Sequence, residues 1–200
     1  MTRSRRNLLS RVGGALAAVG GASVAGCLDF AAGDGPQGPE GTPATLSCAD
    51  EGFVRLEAPF SEPVETQTVE ANGTRIELSA EGTSETYGSS LRLVLRNNGD
   101  AAVATRGEHA YSIQRQTGTG WQEVRGSPTG ESVELAQEDR SLATNGTYSW
   151  SVTLEENALA SAVPGPELHV CPALGPGTHR FVYWGLVDAA PIGVEFELVG

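Results

Sequence analysis

Residues 147–154 read Thr-Tyr-Ser-Trp-Ser-Val-Thr-Leu, with an apolar side chain at every second position. Because successive side chains of a β-strand point to opposite faces of a sheet, this alternation predicts a strand with one buried face and one solvated face. The same alternation recurs at residues 76–78, 91–95 and 194–198. Half-buried strands of this kind are typical of antiparallel sheets.

One stretch has a different pattern. Phe181-Val182-Tyr183-Trp184 is apolar on both faces, which predicts a central strand that is covered on both sides. Turn residues at 97–100 and 118–120 predict two hairpins. The first hairpin would join strands 91–96 and 101–105, and the second would join strands 111–116 and 121–125.

The remaining elements are short. Further strands are predicted at residues 52–58, 64–70 and 131–136, and one short helix near residues 155–162. Eight to ten short strands at this spacing predict an all-β fold, an antiparallel β-sandwich, over residues 48–200.

The N-terminus has the layout of an export signal. A cationic start is followed by a weakly apolar run of 13 residues from Val12 to Val24, which is shorter than the about 20 residues that a membrane-spanning helix needs. Ser4-Arg5-Arg6-Asn7-Leu8-Leu9 resembles the twin-arginine signal, which implies export of an already folded protein. We therefore interpret residues 1–26 as a signal peptide, with Arg5 and Arg6 as its recognised pair.

A cysteine follows this signal directly. Val24-Ala25-Gly26-Cys27 resembles a lipobox, in which the cysteine is acylated and becomes the mature N-terminus. Two acyl chains anchor a protein stably, so we expect Cys27 to hold the chain on the outer face of the cell membrane. Residues 28–47 are rich in Gly, Pro and Ala, and the segment 27–47 is predicted to be a flexible tether.

The net charge of the chain limits the classes of molecule that it can bind. Residues 27–200 carry nine arginines, no lysine and all 25 acidic residues, a net charge of −16. Such a surface repels nucleic acid and anionic lipid, so the predicted partners are a membrane, through the lipid anchor alone, and a protein or another envelope component. The composition resembles that of proteins from salt-loving archaea. At molar salt the Debye length is about 3 Å, which screens the self-repulsion.

Two cysteines remain after Cys27. In an exported protein Cys48 and Cys171 predict a disulfide. An alternative is a copper site in which Cys171 joins two of the histidines, which are His109, His169 and His179. That site would lack the usual axial ligand, because Met1 is the only methionine.

Three motifs follow one another between residues 88 and 186. A strand ends in Asn97-Asn98, another leads to Gly120-Trp121, and a late stretch reads Leu174-Gly175-Pro176-Gly177-Thr178-His179-Arg180-Phe181. In this order they resemble the bacterial immunoglobulin-like domains of extracytoplasmic lipoproteins, with His179 where tyrosine is usual. The resemblance implies an immunoglobulin-like sandwich and no catalytic residues. A more distant similarity is to the intracellular proteinase inhibitor family.

No motif of catalysis or cofactor binding is present. The sequence lacks Gly-x-Ser-x-Gly, His-Glu-x-x-His and a phosphate-binding loop, so no enzyme activity, metal or cofactor is predicted. Trp121, Trp150 and Trp184 are interpreted as packing residues rather than as a ligand-binding patch. The sequons at Asn72 and Asn145 predict possible N-glycosylation at turns. The preferred function is a non-catalytic binding or accessory module, with a proteinase inhibitor and a small copper electron carrier as alternatives.

Replacing Cys27 with serine tests the anchor. We expect Cys27→Ser to leave export intact and to abolish membrane attachment, because serine cannot accept the thioether-linked lipid. Fractionation of cells and medium measures the outcome, and the double replacement of Arg5 and Arg6 by lysine should instead retain precursor inside the cell. Membrane partitioning of Cys27→Ser equal to that of the wild type would contradict the lipobox interpretation.

Overall fold

The structure is a computed structural model that describes residues 35–200. The signal peptide with Arg5 and Arg6, the lipidation site Cys27 and the first part of the predicted tether lie outside the described residues. The described chain contains fifteen strands and one helix, α1. In chain order they are β1 Val54–Arg55, β2 Glu65–Thr66, β3 Thr68–Ala71, β4 Thr74–Ala80, β5 Ser84–Thr86, β6 Ser90–Asn97, β7 Val103–Thr105, β8 Tyr111–Thr117, β9 Gly120–Glu123, β10 Arg125–Ser127, β11 Arg140–Leu142, β12 Thr147–Thr153, α1 Glu156–Ser161, β13 His169–Val170, β14 Gly177–Tyr183 and β15 Ile192–Val199.

Two sheets form the predicted sandwich. The four-stranded sheet has the order β12-β6-β4-β3 and is antiparallel throughout. The larger sheet has the order β2-β15-β14-β8-β9, with β5 also paired to β15. Its long strands are antiparallel, whereas β2 and β5 run parallel to β15. The all-β fold is confirmed, and β14 is the predicted central strand because it pairs on both sides.

The core lies between the two sheets. The alternation in β6 turns Leu91, Leu93 and Leu95 inward, and all three are fully buried. Across the core, Trp150 of β12 contacts the ring of Phe181 with centroids 5.0 Å apart. Burial of apolar surface contributes about 25 cal/mol per Å², so this layer of leucine and aromatic side chains supplies most of the stabilisation. No helix in the described residues is long and apolar enough to cross a membrane.

The second predicted hairpin is confirmed, and the first is wrong. Strands β8 and β9 pair across residues 118–119 as expected. The turn at residues 97–100 exists, but the strand after it, β7, pairs with β11 instead of β6. Both sides of β6 are already occupied by β4 and β12, so β7 has no edge of that sheet to join. Asn97 fixes the turn, because its side chain donates to the carbonyl of Ala101 at 2.8 Å and accepts the amide of Gly99 at 3.0 Å.

Three other predicted strands need correction. The predicted strand 52–58 shrinks to β1, and the predicted strand 64–70 is divided into β2 and β3 by Gln67, whose φ of 65° is incompatible with an extended strand. The predicted strand 131–136 is an irregular segment. The helix predicted near residues 155–162 is confirmed as α1, with Glu155 and Ala162 as its caps.

The predicted disulfide is present. Cys48 and Cys171 are bonded, with their Cα atoms 5.6 Å apart and 123 positions apart in the chain. The bond ties the segment before β1 to the end of β13. An oxidised Cys171 is incompatible with a thiolate ligand, so this state of the protein does not contain the hypothetical copper site.

The tether prediction is wrong for its last part. Arg115 lies on the inward face of β8, and its Nη2 donates to the carbonyl oxygens of Pro39, of Gly41 at 2.9 Å and of Pro176 at 2.8 Å. Its other two guanidinium nitrogens are buried and have no hydrogen-bond partner in the described part of the chain. Burial lowers the pKa of Arg115, and the charge of Glu197 partly opposes this effect. We call these contacts the Arg115 clamp.

Other contacts extend the attachment of this segment. The amide of Gly38 donates to the carbonyl of Leu174 at 2.7 Å, and the amide of Leu46 donates to the side chain of Gln122 at 2.8 Å. Gly175 makes the close approach possible, because a Cβ there would clash with the carbonyl oxygen of Pro39. Residues 38–46 therefore belong to the folded domain.

Removing the Arg115 clamp should loosen this segment. We expect Arg115→Met to lower the free energy of unfolding by about 1–3 kcal/mol, because hydrogen bonds from a charged donor are lost while a poorly paired buried charge is also removed. The Gly38 amide should exchange faster with deuterium. Denaturant unfolding and hydrogen exchange measure the two effects.

The exposed Arg106 offers a matched control. Its ion pair with Asp139 is 3.4 Å long and solvated, so Arg106→Met should change the free energy of unfolding by less than about 0.5 kcal/mol. Unchanged exchange of the Gly38 amide in Arg115→Met would contradict the role assigned to the clamp.

Candidate functional site

An enclosed concave surface lies on the outer face of the larger sheet. Because side chains alternate along β14, Phe181 and Tyr183 face the core, while Val182 and Trp184 face outward. The segment after β1 crosses this outer face and packs closely on the sheet, so that a Cβ on Gly193 would lie 2.8 Å from Val64 Cγ1. Residues 132–137 form a second covering segment.

Between these two segments and the sheet is a cleft of about 360 Å³, which we call the outer-face cleft. Ser112, Glu123 and Trp184 form its floor, and the covering segments supply both apolar and polar walls. The wall residues are Val54, Arg55, Leu56, Glu57, Ala58, Pro59, Ser132, Val133, Glu134, Leu135 and Gln137. A mainly apolar cavity with a few convergent polar groups is the usual form of a small-ligand site.

A buried ion pair fixes the floor of the cleft. Arg125 is fully buried, and its Nε lies 2.9 Å from Oε1 of Glu123. Its Nη2 donates to Oε2 of Glu123 at 3.2 Å and to the carbonyl of Tyr111 at 2.9 Å. Burial alone would lower the pKa of Arg125, but the carboxylate of Glu123 raises it above the ordinary value. The guanidinium group therefore stays charged.

The carboxylate of Glu123 has no spare acceptor. Oε2 also accepts the amide of Ile113 at 3.0 Å, and Oε1 also accepts the amide of Arg125 at 3.2 Å. A carboxylate held by four donors cannot swing toward a ligand. It acts as a rigid, negatively charged part of the floor.

Trp184 forms part of the floor of the cleft. Its indole Nε1 is buried and has no partner among residues 35–200. A buried donor without an acceptor costs about 1–3 kcal/mol. The outer-face cleft thus combines apolar and polar walls with a tryptophan floor.

A second polar cluster lies on the same face of the sheet. Arg180 donates from Nε to Oε1 of Gln114 at 2.7 Å, and its guanidinium group stacks on the ring of Trp121, 4.3 Å from the centroid. Burial lowers the pKa of Arg180 to about 10, and Glu195 partly opposes this shift. This cluster is internally satisfied and closes the surface beside the cleft.

The three tryptophans do not form one aromatic patch. Trp150 packs in the core, Trp121 stacks on Arg180, and Trp184 lines the outer-face cleft. No ring contact among the described residues joins two of them. The packing interpretation therefore holds for Trp150, whereas sequence reasoning missed the placement of Trp184 in a cleft.

The histidines are also dispersed. His109 lies 3.8 Å from Glu108, and His169 lies 3.9 Å from Glu167, and both histidines are close to the surface. His179 is buried in the core and stacks on Phe196. Within residues 35–200 no group of three metal-binding side chains occurs.

Both sequons are located at exposed turns. Asn72 has a φ of 51° and begins the tight turn between β3 and β4, and Asn145 has a φ of 58° in the turn before β12. Both side chains are exposed. The hydroxyl-bearing residues of the two sequons differ, because Thr74 is buried and Thr147 is exposed. Glycosylation at either site stays a prediction.

The fold defines this chain as an all-β sandwich protein. No family model and no curated protein matches it. Among solved structures it is similar to β-glucosidase from Listeria innocua, in crystal structures of a mutant with laminaribiose and of the enzyme with isofagomine and with glucose. The identities are 18%, 17% and 17%, and the TM-scores are 0.29, 0.30 and 0.29. The matches cover 64% of this chain and only 16% of the glucosidase, and at these TM-scores they support no argument about function.

The buried His179 predicts a pH-dependent stability. Its Nδ1 donates to the carbonyl of Gly177 at 2.9 Å, and its Nε2 has no partner among the residues that the structure describes. Burial lowers the pKa of His179 from 6.5 to about 4, with a further lowering by Arg115 and an opposing effect of the Gly177 carbonyl. The neutral ring therefore stabilises the fold fully above pH 6.5, and this contribution is lost as the pH falls toward 4.

We expect the free energy of unfolding of the wild type to fall by up to about 3 kcal/mol over this window, relative to His179→Phe, which has no titrating ring. Denaturant titrations of both proteins from pH 7 to pH 4 measure the difference. The exposed His169→Gln serves as the control and should follow the wild type. Parallel curves for the wild type and His179→Phe would contradict the assignment.

Proposed function

We propose that this chain is a lipid-anchored module on the outer face of the cell membrane, and that it binds its ligand in the outer-face cleft without catalysis. The observation that carries the binding role is the enclosed cleft of about 360 Å³, which combines apolar and polar walls over the indole ring of Trp184. Concave sites of this size with a few convergent polar groups are the usual form of a small-ligand site.

The floor of the cleft supports binding rather than reaction. Its charged group, the carboxylate of Glu123, is engaged by the guanidinium of Arg125 and by two backbone amides. A general acid or base needs a proton-accepting atom that can reach the substrate. The two other carboxylates that line the cleft, those of Glu57 and Glu134, lie on its exposed covering segments, and the rigid floor suits recognition by shape.

The proposed location on the outer face of the membrane is supported by the N-terminal sequence. A twin-arginine motif at Arg5 and Arg6 and a lipobox ending in Cys27 support export and lipid attachment. The disulfide between Cys48 and Cys171 suits an oxidising compartment. The spread of acidic residues over the chain suits a surface in contact with concentrated salt. No specific contact favours the inhibitor alternative, and the oxidised Cys171 disfavours the copper carrier.

Blocking the outer-face cleft tests the binding role. Ser132 is exposed on a covering segment and lines the cleft, so Ser132→Trp should fill the cavity without disturbing the core. We expect the full chain carrying Cys27→Ser to retain a small molecule from an envelope extract of the producing cells, and Ser132→Trp to retain it about tenfold less, a loss of about 1.4 kcal/mol. Native mass spectrometry measures the retained mass.

Ser132→Ala is the matched control, because it keeps the cavity open and should retain the molecule as the parent does. Equal retention by Ser132→Trp, or no retained molecule in the parent, would overturn the binding role of the cleft. Neither result would affect the anchoring proposal, which the separate Cys27→Ser fractionation tests.

A further inference from the structure

Strand β12 has one free edge. It pairs with β6 along all seven of its residues, and no other strand within residues 35–200 pairs with it. At both ends of β12 the even-numbered residues bond to the β6 side. The amide of Leu154 donates to the carbonyl of Ser89 at 2.9 Å, and the carbonyl of Gly146 accepts the amide of Asn97 at 3.0 Å. Bonding alternates along an antiparallel strand, so the odd-numbered residues turn their N–H and C=O groups to the opposite edge.

Two of these residues, Ser149 and Ser151, have no backbone partner on the free edge. No residue of the described part of the chain bonds to their amide or carbonyl groups there. Unpaired N–H and C=O groups in a row are a template for another strand. The free edge is therefore able to accept an extended chain.

The other strand edges of the sandwich are protected, and this one is not. The edge strand β3 is four residues long and carries Glu70, and the edge strand β9 is only four residues long. The short strands β2 and β5 carry Glu65 and Glu85. Residues 141–154, which include all of β12, contain neither charge nor proline. Charges and prolines are the usual devices that prevent pairing at an edge.

A groove runs beside the free edge. It measures about 320 Å³ and is lined by the backbone of residues 149–153, by the rings of Tyr111 and Trp150, and by Ala158 and Ala162 at the end of α1. The small alanine side chains leave room next to β12. Glu108 lies at one end of the groove beside His109, whose Nε2 is 3.8 Å from its carboxylate, and the exposed Glu155 follows the strand at the other end.

We infer that the free edge of β12 binds an extended, basic segment of a partner protein by adding it as an antiparallel strand opposite Ser149 and Ser151. Backbone groups of the partner would satisfy the free N–H and C=O groups, and alternate side chains would enter the groove. The acidic residues at both ends favour cationic side chains, in keeping with a net charge of −16 over residues 27–200. A second copy of the chain would bring the same charge and is disfavoured. This site is separate from the outer-face cleft and does not depend on it.

Proline at position 151 tests the inference. Ser151→Pro removes the free-edge N–H, and the β6 ladder does not use that group, so the fold should tolerate it. The probe is an acetylated and amidated heptapeptide of alternating arginine and valine, added to the full chain carrying Cys27→Ser, with affinity measured by fluorescence anisotropy. We expect binding to weaken about tenfold or more in Ser151→Pro and to stay within about twofold in Ser151→Ala and in Ser132→Trp.

A second measurement does not depend on how the proline variant folds. The same peptide with N-methyl groups on the backbone amides that face β12 cannot donate to it, and it should bind the unmodified edge at least about tenfold more weakly. Equal affinity for both peptides, equal binding by Ser151→Pro, or no binding of the parent peptide would overturn the proposal. So would a dimer in sedimentation velocity that Ser151→Pro abolishes, because the occupant would then be a second copy.

Discussion

The packing of Trp150 against the larger sheet is the contact on which the rest of the structure depends. Its ring lies 5.0 Å from that of Phe181 and 5.5 Å from that of Tyr183, so one side chain of β12 joins the four-stranded sheet to the central strand of the other. Its indole Nε1 also donates to the carbonyl of Glu108 at 2.9 Å. Tyr183 donates to the carbonyl of Gly107 at 3.0 Å. The aromatic layer therefore holds both the core and the loop that ends the groove beside β12.

The same alternation that builds the core also produces the outer-face cleft. When Phe181 and Tyr183 turn toward Trp150, Val182 and Trp184 must turn away from it. An apolar outer face needs a cover, and the irregular segments on either side provide one without filling the space above Trp184. Regular strands in the two covers would pack flat on the sheet and leave no cavity. The cleft is thus a consequence of a central strand that is apolar on both faces.

The sequence predicted the positions of the strands better than it predicted which strands pair with each other. Period-two alternation located β6, β12, β14 and β15, because a strand with one buried face has an apolar residue at every second position. It could not show that β7 pairs with β11, since pairing depends on which sheet edges are vacant. The sequence of residues 38–46 also has no alternating apolar pattern, because hydrogen bonds to backbone carbonyls attach this segment to the domain. Arg115 could have indicated this attachment. It is a charged residue at an inward position of β8, and a buried guanidinium group needs hydrogen-bond acceptors from another segment of the chain.

The net negative charge of the chain explains why the edge of β12 can lack charged residues of its own. Most sheet proteins protect each edge by a local charge, whereas here the acidic surface repels other copies at a distance and one edge can stay open. That protection depends on ionic strength, since at molar salt the Debye length is about 3 Å and the repulsion acts only at contact. Under such conditions Glu108 and Glu155, which lie at the ends of the groove, are close enough to act. Selectivity for a basic segment would then come from these two carboxylates, and the remaining acidic residues would serve to keep the protein hydrated.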